Sequence, residues 1–278
     1  MRRRRRRRGP IGGFSPSVGS RPGWGECAGQ AMVGTAPGPS ESWLPVHPWR
    51  PGEPFPAPPA DPSDPPLLLL IDRRDPQLPP AVERWRHCLS VAEQQEVEAR
   101  RQPDDRDRAL LVRLGLRLAL AGWLNVDPAA LVLRPGVHGK PERLATDGSM
   151  APEPGFNGAH AGDLVLVGLH PCRPLGVDLE AGRLPRHWPA IARRCLPPDR
   201  CAWLLALPPA EAGPAFLAEW CRHEAGLKAG GWGLAAAPPI AHWPPLRRWR
   251  LCLPNHHVGA AAVVSAPGGP PADASLLP

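Results

Sequence analysis

Two short segments carry side chains that could act together. "LGVDLE" at 175–180 sets Asp178 and Glu180 two residues apart, and "WCRHEAGLK" at 220–228 sets Trp220, Glu224 and Lys228 four apart. On a strand, residues i and i+2 share a face, so the first two carboxylates lie side by side. Two like charges that close are costly unless a cation sits between them, and oxygen donors suit a hard ion such as Mg2+. The plainer alternative is a solvent-facing strand edge. On a helix, Trp220, Glu224 and Lys228 form one stripe, and an ordinary Glu–Lys pair there is worth only ~0.2–0.5 kcal/mol. The tryptophan on the same stripe points to a face turned toward protein, where a buried Glu and Lys need specific partners. A third carboxylate that completes a metal site, beside a lysine that meets a phosphate, supplies both. The chemistry implied is phosphoryl or phosphodiester transfer, with a pyrophosphate bridged by Mg2+ and clamped by lysine.

Other elements must position these groups. "LLLLID" at 67–72 reads as a buried strand, and "PPAVERWRHCL" as a helix with proline in its first turn. "SVAE" at 90–93 fits a capping box. Residues 104–124 carry the strongest helical pattern, with Leu110, Leu111, Leu114, Leu118 and Ala121 on one face. "LVLRPGVHGKP" runs from a strand into a loop bearing Lys140, and residues 163–169 and 173–180 read as strands that could pair as neighbours. Residues 188–207 form two short helices broken at "PP", and 212–231 form a helix stopped by Gly230 and Gly231. Two strands follow, joined at Asn255. The strands "HAGDLVLVGL" and "HHVGAAAVVS" recur at corresponding places in two halves of similar plan, which suggests an internal duplication and an α+β fold.

The chain has 278 residues and a net charge of +7. Residues 2–8 are seven arginines, and the remainder balances at 26 basic and 26 acidic residues, so the basicity belongs to a tail. Residues 1–66 hold 15 of the 42 prolines and show no strand or helix period, a linker or disorder composition. No apolar run approaches a membrane span, and no signal-peptide core follows the arginines, so a cytoplasmic protein without membrane contact is expected. The seven cysteines are odd in number with no C-x-x-C spacing, which favours free thiols over a disulfide framework or structural zinc. His256–His257 would point to opposite faces of a strand and makes a poor metal pair.

"GVDLE", then about 40 residues, then W-C-x-H-E-A-x-x-K resembles the paired signature of the 4′-phosphopantetheinyl transferases, (I/V)-G-(I/V)-D-x-E followed by (F/W)-(S/C/T)-x-K-E-(A/S)-x-x-K. "GKP" at 139–141, "FNGAH" at 156–160 and "DRALL" at 107–111 follow the family's order. The length is similar to that of the surfactin-type branch, in which one chain forms a pseudo-dimer. The resemblance implies an α+β fold of two similar lobes, 67–172 and 173–266, with the active site in the cleft between them, and a tail at 267–278. It implies a monomer that moves the phosphopantetheine arm of coenzyme A to a serine of an apo acyl or peptidyl carrier protein, releasing 3′,5′-ADP. Asp178, Glu180 and Glu224 would hold Mg2+, and Glu224, directly or through a metal-bound water, would take the serine proton. Lys228 would bind an α-phosphate oxygen, and Arg108, Lys140 and His160 would bind the 3′-phosphate and adenosine end of coenzyme A.

The chain departs from the pattern at His223, where the family has lysine, and at Ala159, where it has serine. Those departures leave a coenzyme A-binding homologue with weak turnover as an alternative. Nucleic-acid binding through the arginine arm is another, which the neutral body of the chain disfavours, and no specific nucleic-acid partner is expected.

Overall fold

The structure is a computed structural model, and it describes residues 42–59 and 61–265. The arginine arm and the tail at 267–278 lie outside the described residues. In chain order the elements are β1 (Trp43–Pro45), β2 (His47–Pro48), β3 (Leu67–Asp72), α1 (Leu78–Trp85), α2 (Val91–Glu98), α3 (Pro103–Leu124), β4 (Val132–Pro135), β5 (Pro141–Leu144), β6 (Gly155–Ala161), β7 (Leu164–His170), β8 (Leu175–Glu180), α4 (Trp188–Cys195), α5 (Pro198–Ala206), α6 (Pro209–Gly230), β9 (Leu246–Cys252) and β10 (Val258–Val264).

This is an α+β fold with two four-stranded sheets, ordered β2-β3-β7-β6 and β1-β9-β10-β8, and a β4-β5 ribbon. Side-chain alternation builds the layers. From β3 and β7, Leu67, Leu69, Ile71, Val165, Val167 and Leu169 pack with Leu111, Leu114 and Leu118 of α3. The intervening Leu68, Leu70, Leu164 and Leu166 join Leu175, Val177, Leu179, Leu251, Ala261 and Val263 in a second core between the sheets. On the outer side of the second sheet, Ala260 and Ala262 pack with Cys221, Ala225 and Ala229 of α6. A strand buried on both faces has no polar side to show, which is why β3 reads as an unbroken apolar run.

The helices obey their local signals. Ser90 and Glu93 close the expected capping box on α2. Helix α3 has proline in its first turn, Asp104 and Asp105 near its positive end, and Asn125 in the left-handed conformation as C-cap, φ 52°. The buried Arg117 guanidinium donates to Glu93 at 2.5 Å and to the carbonyls of Pro128 and Leu131, tying α2 and the loop before β4 to α3. Helix α6 begins at Pro209, earlier than its periodicity suggests, and ends at Gly231, φ 73°.

Three expectations are corrected. Strands β7 and β8 do not pair: β7 lies between β3 and β6, and β8 pairs only with β10, so the two belong to different sheets packed face to face. Residues 42–59 are not an unstructured extension, because β1 runs parallel to β9 and β2 parallel to β3, with Leu44 and Trp49 buried. Both strands sit at sheet edges, where a proline's missing N–H is tolerated. Cys252 is disulfide-bonded, whereas Cys88, Cys172, Cys195, Cys201 and Cys221 are free.

The two halves share a plan. The series β3, α3, β6, β7 and the series β8, α6, β9, β10 each place their third strand between the first and second. The two His-led segments supply those central strands, β7 and β10.

His170 closes β7 and is 1% exposed, with Nδ1 accepting the Arg173 N–H at 3.2 Å. Burial first, then the Arg173 and Arg247 cations, lowers its pKa from 6.5 to about 4. The folded chain therefore holds this imidazole neutral. Stability present above pH 6.5 is expected to be lost as pH falls toward 4, by up to ~3 kcal/mol from this group. Urea midpoints at about pH 7 and pH 4.5 should differ accordingly, and His170→Gln should reduce that difference.

Candidate active site

Strand β8 turns Leu175, Val177 and Leu179 into the core between the sheets, so Gly176, Asp178 and Glu180 face α6. A Cβ on Gly176 would lie 2.0 Å from the Ala225 carbonyl oxygen and 2.4 Å from the Ala229 nitrogen. Helix and strand backbones thus touch here, and only glycine permits it. Gly176→Ala is expected to cost at least ~1–3 kcal/mol and to separate β8 from α6, read as a lower urea midpoint together with lost activity.

Helix α6 runs antiparallel to β8. Its C-terminal end meets Gly176, and the Cys221 thiol, near the middle, donates to the Val258 carbonyl opposite Glu180 at 3.5 Å. The stripe Trp220, Glu224, Lys228 therefore borders the strand's carboxylates. Lys228 Nζ donates to Asp178 Oδ1 at 2.6 Å. Asp178 is buried, and its Oδ2 has no hydrogen-bond partner. Glu180 is raised in pKa by desolvation and by Asp178, with Glu224 adding to the effect and Lys228 opposing it. Glu224 is raised by desolvation and by Asp178, again against the pull of Lys228. The Asp178 charge thus raises the affinity of both glutamates for a positive charge, and the Lys228 ammonium offsets only part of it.

Among the described residues no group of three or more His, Cys, Asp or Glu side chains forms a ready-made metal cage. The residues nevertheless fit a hard dication. The donors are oxygens, the charge is in excess, and a buried carboxylate oxygen lacks a partner.

His160 lies on the edge strand β6. Its neighbour Ala159 faces the core between the sheets, so the imidazole faces the α3 side, where Arg108 stands. Desolvation, then Arg108 and Lys228, lowers its pKa, with a further push from Arg100. Arg108 donates to Asp105 at 2.7 Å and to the Gly162 carbonyl at 3.3 Å. The Arg108 and Lys228 cations therefore both oppose a charge on His160. Lys140 is engaged differently. Its ammonium donates to the Leu175 carbonyl at 2.9 Å and to the Lys228 carbonyl at 2.7 Å, and burial lowers its pKa to about 8.

His223 stands in an aromatic row, with ring centroids 5.9 Å from Trp220 and 5.3 Å from Trp243. Desolvation and the Arg248 cation lower its pKa to about 4, so it carries no charge at neutral pH. A small open hollow beside His223 is lined by Leu196, Ile240 and Trp243 and includes none of the three carboxylates. Ala159 is buried, and a serine hydroxyl there would face the core, away from His160's side of the strand.

The sequence reading passed over two residues that shape the site. Gly176 lets α6 approach, and its signal was a glycine two residues before the first carboxylate. Asn157 is buried, and its Oδ1 accepts the Val177 N–H at 3.0 Å, holding the edge of β8 against β6. Its signal was the amide of the "FNGAH" segment, in a strand whose other polar side chain is His160.

Comparison with known proteins agrees with this geometry. The model of the 4′-phosphopantetheinyl transferase superfamily matches residues 174–269. A Synechocystis sp. protein described as a candidate 4′-phosphopantetheinyl transferase is 33% identical over 156 residues, which is 56% of this chain and 62% of that protein. The 4′-phosphopantetheinyl transferase HetI of Nostoc sp. is 32% identical over 141 residues, 50% of this chain and 57% of HetI. A phosphopantetheinyl transferase of Thraustochytrium sp. is 38% identical over 94 residues, 33% of this chain and 31% of that protein. The chain spans about six tenths of the length of the first two relatives. No described helix is long and apolar enough to cross a membrane. Residues 174–269, which carry both halves of the carboxylate–lysine site, are thus similar to the 4′-phosphopantetheinyl transferase superfamily.

Proposed function

We propose that the protein transfers the 4′-phosphopantetheine arm of coenzyme A to a serine of an apo carrier protein and releases 3′,5′-ADP. The observation that carries this reading is the buried Asp178, with one oxygen on the Lys228 ammonium and the other unpaired, beside two glutamates of raised pKa. A new bond joins the serine oxygen to the β-phosphorus, and the bond from that phosphorus to the bridging oxygen breaks. The serine proton passes to Glu224, whose raised pKa makes it a stronger base than an ordinary carboxylate. Lys228 balances charge on the departing α-phosphate, and Arg108 and His160 receive the 3′-phosphate. Asp178, Glu180 and Glu224 would hold Mg2+, which when bound neutralises the pyrophosphate. Attack on a polyanion needs this neutralisation and positioning more than covalent help.

The lobes would be 67–172 and 173–266, as a pseudo-dimer acting as a monomer, with the site where they meet. The shared strand order of the two sheets supports that division. The protein would act in the cytoplasm. A second reading, coenzyme A binding with weak turnover, is favoured by the uncharged His223 at the family's lysine position.

Release of 3′,5′-ADP from coenzyme A, followed chromatographically, distinguishes the two readings. Transfer predicts release that requires an apo carrier protein and stops when EDTA is added. Coenzyme A binding without carrier-dependent release would reject transfer in favour of the second reading.

A further inference from the structure

The ammonium of Lys140 reaches across the chain to two backbone carbonyls, Leu175 at the start of β8 and Lys228 in the last turn of α6. These two residues flank the close contact at Gly176. The carbonyls of a helix's last turn lack intrahelical partners and carry the negative end of its dipole, so a half-buried cation there is well placed. Among the described residues, the Lys228 carbonyl otherwise receives the Gly231 N–H at 3.3 Å. Lys228 is thereby held at both ends, its carbonyl by Lys140 and its ammonium by Asp178 at 2.6 Å. Two of the three donors on the Lys140 ammonium are used inside the protein.

We propose that Lys140 is a positioning residue, which clamps the end of α6 to β8 so that Lys228 and Glu224 stand against Asp178, and that it does not bind the 3′-phosphate of coenzyme A. The proposal rests on the transferase reading for its kinetic test, but the clamp itself can be measured without turnover.

The test compares wild type, Lys140→Met and Lys140→Arg with coenzyme A and with 3′-dephospho-coenzyme A. Loss of the clamp misplaces groups that must act together, so Lys140→Met is expected to lower kcat about 10- to 100-fold. The KM for coenzyme A should change less than about threefold, and the preference for coenzyme A over the dephospho form should match wild type. Lys140→Arg, which keeps a cation with several donors, should recover part of kcat. A raised KM with kcat retained, together with a lost preference for the 3′-phosphate, would overturn the proposal. Hydrogen exchange at the Gly231 and Trp232 amides gives a second readout. It should quicken in Lys140→Met, and unchanged exchange there would refute the clamp. If Lys140→Met fails to fold, Lys140→Arg undergoes the same measurements and the same outcomes decide. Absence of transfer by wild type would count against the transferase reading, and the exchange result would still decide the clamp.

Discussion

Glu224→Gln is expected to reduce carrier modification by about 10²- to 10⁴-fold while leaving the fold intact. The substitution keeps size and shape but removes the proposed base and one of the three carboxylates proposed to hold Mg2+. Glu224 is strained electrostatically, since desolvation and Asp178 both oppose its charge. A neutral amide relieves that opposition, so the melting temperature should stay level or rise while activity collapses. Rapid-quench or discontinuous mass assays of the carrier measure the rate, and calorimetry measures the stability. A variant that loses both together would point to a structural role instead.

The second large effect is expected at Asp178→Asn. Oδ1 is the acceptor for Lys228, and the side chain is buried. Removing its charge leaves a half-buried ammonium without its counterion, which should cost about 1–3 kcal/mol; the part of Lys228 that water reaches keeps the figure below that of a fully buried pair. Asp178 also raises the pKa of Glu180 and Glu224, after desolvation, so both should fall in the variant. Transfer should drop by at least about 10²-fold. Mg2+ should raise the melting temperature of wild type at neutral pH and do so far less for Asp178→Asn. Equal Mg2+ stabilisation of both proteins would remove Asp178 from the proposed ligand set.

The carboxylates and the lysine were legible because two periods are simple. Alternation on β8 sends Asp178 and Glu180 to one face, and the four-residue step on α6 aligns Trp220, Glu224 and Lys228. The capping box at Ser90 and the stop at Gly231 were legible for the same reason, since each is a local event. The pairing of β7 and β8 was misread because they follow one another in sequence, whereas the sheets assemble by a long-range order that brings β10 to β8. Residues 42–59 were misread because proline at a sheet edge looks like proline in a linker. The partners of Lys140 lie 35 and 88 residues away, a distance at which no spacing rule speaks. The neutrality of His223 comes from burial and from Arg248, neither of which its own motif contains.

The central claim is that the site made by β8 and α6 moves a phosphopantetheine arm from coenzyme A to a carrier protein. The most direct measurement is the intact mass of an apo carrier protein after incubation with the protein, coenzyme A and Mg2+. A gain of one phosphopantetheine arm is expected on at least one of a panel of fatty-acid, polyketide and peptide-synthesis carriers, abolished by Glu224→Gln. An unchanged mass on every carrier, from a folded protein that still binds coenzyme A, would contradict it.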